Sequence, residues 1–435
     1  MNYPKEYNFN HLTERLVEYA RLQHEYGAKG IDELLAAAKK SLEKAITELK
    51  ALPLCAELKG KEPDELHAIR ALRLKGPRKM WQTLDSGYRD KLEGAMLARF
   101  AGCTLGAPVE FWSVKAMEEW ARYLGTAFPP TDYWAKIKAP NELRYGVSPK
   151  EAYTKEKMEG VPVDDDITYT ILGMLIAEDY GIDFTIDDVG KAWLKYLPYA
   201  CTAEEVALDN LRKGIPAMEA ADVDNPYCQW IGADIRSDPW AYMAPAWPEK
   251  AAELAYRDAY LSHRRNGIYG EMFFAAAQSA AFAVDNAVDA LKIGLTEIPR
   301  ECTLYGDVVW ALEEGKHIKN YKDARGTVDA HFAGQSGVHT NLNAALTTFG
   351  LMIGGNDVTR VIGETVAMGQ DNDCTAATAG SIIGAIVGKK GIPAHWVKPF
   401  NNKLETYLTG AEHFRLDELT ARFAALAAKI YAEGK

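Results

Sequence analysis

The sequence predicts an all-α fold on three observations: apolar residues recur at helical spacing along most of the chain, strand-like alternation is scarce, and two small-residue stretches, 273–283 and 376–385, suit close helix contacts. The first helical pattern covers 12–52. Leu16, Tyr19 and Ala20, then Leu34, Leu35, Ala38, Leu42, Ile46 and Leu49, describe two helices broken at 27–30. Asp32 is placed to cap the second helix and Pro53 to stop it. A helical stretch near 64–74 completes an amphipathic leader that carries no chemical motif. The next helix, 88–101, runs into Gly102-Cys103-Thr104-Leu105-Gly106-Ala107-Pro108-Val109-Glu110, where glycines and a proline end it and present an acid at a turn. Later helices are expected over 189–196, 204–212, 251–262, 271–295, 342–352, 358–367, 376–387 and 416–431. Residues 225–248, where Tyr227, Trp230, Trp240, Tyr242 and Trp247 are interspersed with four prolines, read as a long irregular loop. Its rings either stack a base or pin the loop to the core. The expected organisation is an N-terminal helical extension, 1–87, followed by the main domain, 88–435.

Composition narrows the function classes. Hydrophobic residues make up 48% of the chain and charged ones 26%, a globular balance that supports a large core. No apolar run reaches the roughly 20 residues of a spanning helix, and the first fifteen residues are polar and charged, so a cytoplasmic protein without a membrane partner is expected. The formal net charge of -11 argues against general nucleic-acid binding and favours a small substrate. Six cysteines without a C-x-x-C pair give no zinc ribbon and read as reduced thiols.

Two acidic clusters carry the chemistry. Asp164-Asp165-Asp166 precedes the apolar stretch Ile171, Leu172, Met174, Leu175 and Ile176, so the three acids sit at a helix start. Capping needs one acid, and three adjacent like charges repel unless a cation relieves them. Gly369-Gln370-Asp371-Asn372-Asp373-Cys374-Thr375 also leads into a small-residue helix, and the alternation of Asp371 and Asp373 can place two carboxylates on one side of a loop. All-oxygen donors suit Mg²⁺, Mn²⁺ or Ca²⁺ rather than zinc or copper.

These elements resemble the ADP-ribosylglycohydrolase family, which includes the dinitrogen-reductase-activating glycohydrolases and the ADP-ribosylarginine and ADP-ribosylserine hydrolases. Gly102 to Glu110 resembles the family's Gly-Asp-x-x-Gly-x-x-x-Glu turn, and Asp164-Asp165-Asp166-Ile167 its Thr-Asp-Asp-Thr motif. Ser336-Gly337-Val338 resembles the Ser-Gly-Tyr loop, and 369–374 the Gly-Gly-Asp-Thr-Asp-Thr motif, over a span of about 91–390. The resemblance implies an orthogonal bundle of α-helices and two divalent cations, Mg²⁺ first, with Mn²⁺ or Ca²⁺ as alternatives. It implies metal ligation by Asp164, Asp165, Asp166, Asp371, Asp373 and Cys374, with Thr375 the alternative to Cys374. Glu110, Asp165 and Asp371 are the implied catalytic residues, Glu110 orienting or deprotonating a water. Cys103, Cys374 and Val338 depart from an aspartate, a threonine and a tyrosine in the family pattern.

The expected function is therefore metal-dependent hydrolysis of the glycosidic bond between ADP-ribose and an acceptor, an N-glycosyl hydrolase chemistry, with ADP-ribose or an ADP-ribosylated acceptor as partner. Ser336 and Gly337, in a glycine-rich approach to the helix near 341, suit a pyrophosphate. His263, Asn266 and Gly267, at a turn after a helix, are further substrate-binding candidates, and Arg236 a guess of the same kind. One competing reading is a prenyl or terpene synthase, but Thr168 and Tyr169 stand where a third acid would be needed. The other is an inactive ADP-ribose-binding relative, against which the retained Glu110 and aspartates speak.

Overall fold

A computed structural model describes residues 3–4 and 7–433, and it is all-α apart from two short hairpins among the described residues. Two compact units divide at Gly60: Met1–Gly60 and Lys61–Lys435. In the first, helices Phe9–Glu25 and Ile31–Lys50 are joined by a turn in which Gly27 and Gly30 both take positive φ, which only glycine adopts without strain. The second of these helices is capped by Gly30 rather than by Asp32, whose place is the first turn, where its charge complements the helix dipole. Neither helix has a buried residue among those described. Residues 61–87, grouped with the extension on sequence grounds, lie in the second unit. Ile69 enters its core, Arg73 pairs with Glu249 and Glu297, and Arg78 also pairs with Glu297.

Helices Tyr88–Gly106 and Asn372–Val387 form the centre of the large unit. They approach so closely that a Cβ on Gly102 would lie 2.1 Å from the Ala376 carbonyl oxygen, one on Gly380 2.3 Å from that of Ala98, and one on Gly384 2.2 Å from that of Gly94. This contact explains why the first helix continues to Gly106 instead of ending near 101. Its glycines are consumed by packing, and buried apolar area outweighs their propensity cost of about 1 kcal/mol each. Asn266–Ala281, buried along its whole length, Asp165–Tyr180, Thr340–Gly354, Val358–Ala367 and Leu416–Glu433 pack around the pair, and Pro248–Ala259 packs on Asn266–Ala281.

Three differences from the sequence reading have local causes. The stretch 271–295 is two helices, because Asn286 caps a new one, Ala287–Gly294, with its side chain accepting from the Asp289 amide. Within 225–248, Asp238–Met243 is helical, and Pro239 is tolerated because it stands in the first turn, where no amide donor is needed. Its Trp240 and Tyr242 are fully buried, so these rings pin the segment to the core. Helices Val114–Leu124, Thr303–Glu314 and Tyr321–His331 also form. The hairpins are Leu143–Arg144 with Ser148–Pro149, Arg144 opposite Ser148, and Lys403–Glu405 with His413–Arg415. No helix among the described residues is long and apolar enough to cross a membrane.

Candidate active site

The two central helices end at the same place, and the site is built there. After Gly106 the chain makes a 3-10 turn, Ala107–Val109, and leaves it at Glu110 with extended ψ. Gly106 rests directly on the second acidic segment, since a Cβ there would lie 2.5 Å from the Asp373 Cα. The Phe111 amide donates to the Gln370 carbonyl at 3.0 Å, which ties the Glu110 loop to the 369–371 loop. Phe111 and Gln370 both hold positive φ, conformations costing on the order of 1 kcal/mol or more each that the surrounding packing must sustain.

The three consecutive acids open helix Asp165–Tyr180. Asp164 is its N-cap, Oδ1 accepting from the Asp166 amide at 3.2 Å, so one acid does the capping and two remain for other work. Asp165 Oδ1 accepts from the Tyr145 hydroxyl at 2.6 Å. Asp166 is wholly buried, and neither of its carboxylate oxygens has a hydrogen-bond partner. The Arg99 guanidinium, itself fully buried, holds this turn by donating to the Asp166 and Ile235 carbonyls, and it lies 3.6 Å from Asp166 Oδ1. On the facing helix, Asp371 and Asp373 each leave Oδ1 without a partner.

Ligand atoms of Asp166, Asp373 and Cys374 lie within 4.8 Å of one another, as do those of Glu110, Asp371 and Asp373, and those of Cys103, Asp164 and Asp166. Orphaned buried carboxylate oxygens on Asp166, Asp371 and Asp373 are what a hard divalent cation satisfies, so the donor set fits one. Cys374 rather than Thr375 faces this cluster. The Thr375 hydroxyl is spent on the Asp371 carbonyl at 3.1 Å.

Burial dominates the acid–base properties. It raises Asp164, Asp166 and Asp371 well above the usual carboxylate range and raises Asp373, against the lowering effect of Arg144 on Asp164 and Asp373 and of Arg99 on Asp166. Glu110 is pushed up to about 8 by burial and the neighbouring Asp373, with Arg144 opposing. The Cys103 and Cys374 thiols are also driven up by burial and by the surrounding aspartates, which keeps them protonated.

The carboxylates open into a cleft of about 350 Å³ whose walls include Tyr145, Tyr169, Glu204, Trp230 and Val338 beside Glu110, Asp165, Asp371 and Cys374. Of the 336–338 loop, Val338 faces the cleft, while Gly337 lies against the Gln370 side chain, too close for a Cβ, and Ser336 accepts from His339 through its carbonyl. His263, Asn266 and Gly267 do not line it. His263 is fully buried, its Nδ1 2.8 Å from the Ser262 hydroxyl, and burial lowers it well below the usual imidazole range, so it is neutral. Asn266 bonds Glu62, Gln229 and the Leu304 amide, and Gly267 gives close passage to the Cys228 carbonyl. Arg236 is enclosed by Asp258 at 2.6 Å, Glu204 at 2.8 Å and Glu271 at 3.5 Å, a buried network that orders the core. Arg144 and Tyr145 escaped the sequence reading, because a lone arginine in a loop without periodicity looks like a solvated side chain.

The family model for ADP-ribosylglycohydrolase matches residues 84–433, four-fifths of the chain. This chain belongs to the ADP-ribosylglycohydrolase family. The match runs past 390, where the recognisable motifs stop, because helix Leu416–Glu433 is part of the same core: Phe423 meets the Tyr242 ring at 5.5 Å and Tyr431 the Trp247 ring at 5.6 Å. Among solved structures, one titled as an ADP-ribosylglycohydrolase-related protein complex has the same fold, with a TM-score of 0.53 and 18% identity over 79% of this chain and 99% of that one. No curated protein sequence matches the chain. Family membership makes the protein a hydrolase of the ADP-ribosylglycohydrolase type with an all-α fold.

Proposed function

We propose that the protein hydrolyses the glycosidic bond between the anomeric carbon of an ADP-ribosyl group and its acceptor, with a divalent cation, Mg²⁺ first, held by Asp166, Asp371 and Asp373. The observation that carries this reading is the convergence of Glu110 and two separate aspartate clusters at the floor of one cleft, with buried carboxylate oxygens left for a cation. When bound, the cation would supply charge that orients and polarises the ribose hydroxyls. Glu110 faces the cleft, and burial makes its carboxylate a stronger base once it is ionised: in that form it takes the proton of a water whose oxygen attacks the anomeric carbon. The bond to the acceptor breaks with its electron pair leaving on the acceptor nitrogen or oxygen, which is then protonated from solvent. Asp165, fixed by Tyr145, and Asp371 stabilise the positive charge that develops on the sugar. Trp230, packed on Tyr227 at 4.6 Å between ring centroids, offers a face for the adenine.

The test is release of ADP-ribose from arginine-linked and serine-linked ADP-ribosyl peptides in Mg²⁺, repeated after chelation. Release that stops with the chelator and returns with Mg²⁺ supports the reading. No release from either peptide, or release indifferent to chelation, overturns it.

Two further outcomes are expected. Trp230→Ala raises KM for ADP-ribosyl substrates about tenfold or more while kcat changes little, since stacking on a base contributes on the order of 1–3 kcal/mol; steady-state kinetics with an unchanged KM remove Trp230 from the substrate surface. The second concerns pH. A carboxyl group whose folded-state value is raised adds stability while protonated and loses that contribution as pH rises through the folded value. Glu110, raised from 4.5 to about 8, and the raised aspartates thus weaken the cation-free fold as pH climbs from the acid side toward neutrality. Because cations compete with protons for these oxygens, Mg²⁺ is expected to raise Tm more at about pH 8 than at about pH 5. Thermal melts showing an equal or larger gain at the lower pH contradict this.

A further inference from the structure

Arg144 occupies an unusual place for a cationic side chain. It stands in the hairpin Leu143–Arg144 with Ser148–Pro149, and its guanidinium points between the two acidic clusters instead of to solvent. Nη1 donates to Glu110 Oε2 at 2.8 Å and to the Ala107 carbonyl at 2.7 Å. Nη2 reaches Asp164 Oδ2 and Asp373 Oδ2, both at 3.0 Å. The group is flanked by the Tyr145 and Tyr153 rings, whose centroids lie 5.3 and 5.6 Å from its central carbon, and only 10% of the side chain is exposed. One positive charge therefore already bridges three carboxylates from three segments of the chain.

The remaining oxygens divide accordingly. Both oxygens of Asp164 are used, Oδ1 by the Asp166 amide and Oδ2 by Arg144. Asp373 gives Oδ2 to Arg144 and keeps Oδ1 free of partners. Both oxygens of Asp166 and Oδ1 of Asp371 are likewise unpartnered. The oxygens without a hydrogen bond thus belong to Asp166, Asp371 and Asp373, and those satisfied by Arg144 to Glu110, Asp164 and Asp373, so that Asp373 contributes one of each. Asp373 is shared between the Arg144 guanidinium and a group of buried carboxylates whose oxygens lack hydrogen bonds, Asp166 having the Arg99 guanidinium at 3.6 Å as its nearby cation.

We infer that the protein binds one divalent cation, among Asp166, Asp371 and Asp373, and that the Arg144 guanidinium serves as a built-in second cation between Glu110, Asp164 and Asp373. This rests on the metal-assisted hydrolase reading above. It replaces the two-ion centre that the family resemblance implies with one ion and one fixed organic cation. A guanidinium cannot be deprotonated in a protein and cannot be chelated, so charge on that side persists when the metal is removed.

The test is Mn²⁺ stoichiometry by equilibrium dialysis with metal analysis, together with electron paramagnetic resonance of the bound ion, on the full chain. The wild-type protein is expected to take one Mn²⁺ with the spectrum of an isolated ion. Arg144→Met, which keeps the apolar stem and removes the charge, is expected to take two, with a spectrum broadened by magnetic coupling. Arg144→Lys keeps a charge and is expected to take one. Two ions in the wild-type chain overturn the inference while leaving the hydrolase reading intact, and that result does not depend on either variant folding. One ion in both wild type and a folded Arg144→Met also overturns it. No ion in the wild-type chain removes both the inference and the metal-assisted reading beneath it.

Discussion

Asp371→Asn is expected to lower hydrolysis by on the order of 10²-fold or more while leaving the far-ultraviolet circular dichroism spectrum unchanged. Asp371 is almost fully buried, its Oδ1 has no partner, and although it occupies the N-cap of helix Asn372–Val387 its side chain makes no capping bond. Asparagine therefore fills the same volume and costs the helix nothing, yet removes the charge that a divalent cation and a developing sugar cation both need. Asp165→Ala is expected to act in the same direction, since it deletes the carboxylate that Tyr145 orients toward the cleft. Near wild-type turnover in either variant, measured as ADP-ribose released, would mean that the carboxylates are structural.

Gly380→Val is expected to cost about 3 kcal/mol of stability or more, read as a lower urea midpoint at an unchanged slope. The added side chain has no room, because the neighbouring atom is the Ala98 backbone carbonyl at 2.3 Å from even the first new carbon, and backbone cannot swing aside. Separation of the two central helices also pulls Asp373 and Cys374 from Glu110, so activity falls with stability. Gly306→Ala provides the contrast. That glycine is in helix Thr303–Glu314 with nothing within 4 Å of its would-be Cβ, and alanine there is expected to stabilise by about 0.5–1 kcal/mol through helix propensity. Equal effects of the two substitutions would refute the close-contact account.

What the sequence revealed followed from where the physics is local. Helix Val358–Ala367 has a clean apolar period and an aspartate cap at Asp357, and its bounds match the expected 358–367. The acids at 164–166 and 371–373 were visible because charge crowded at helix starts needs a cause. Tertiary contacts hid the rest. Gly102 and Gly106 signal an end in isolation, and only the facing backbone of Asn372–Val387 turns them into contact points within a continuing helix. Arg144 has no periodicity or neighbouring motif, and its role emerges when the hairpin delivers it between segments 34 and 229 residues away in sequence. His263, Asn266 and Gly267, candidates because they follow a helix at a turn, are buried under neighbouring elements, where hydrogen bonding and close packing account for them.

The most direct measurement is anomalous scattering from a crystal of the full chain grown with Mn²⁺ and ADP-ribose. The account predicts a peak about 2–2.6 Å from oxygens of Asp166, Asp371 and Asp373, with the terminal ribose against it and its anomeric carbon facing Glu110. A nucleotide bound elsewhere, or a cleft with sugar but no metal among these aspartates, would contradict it.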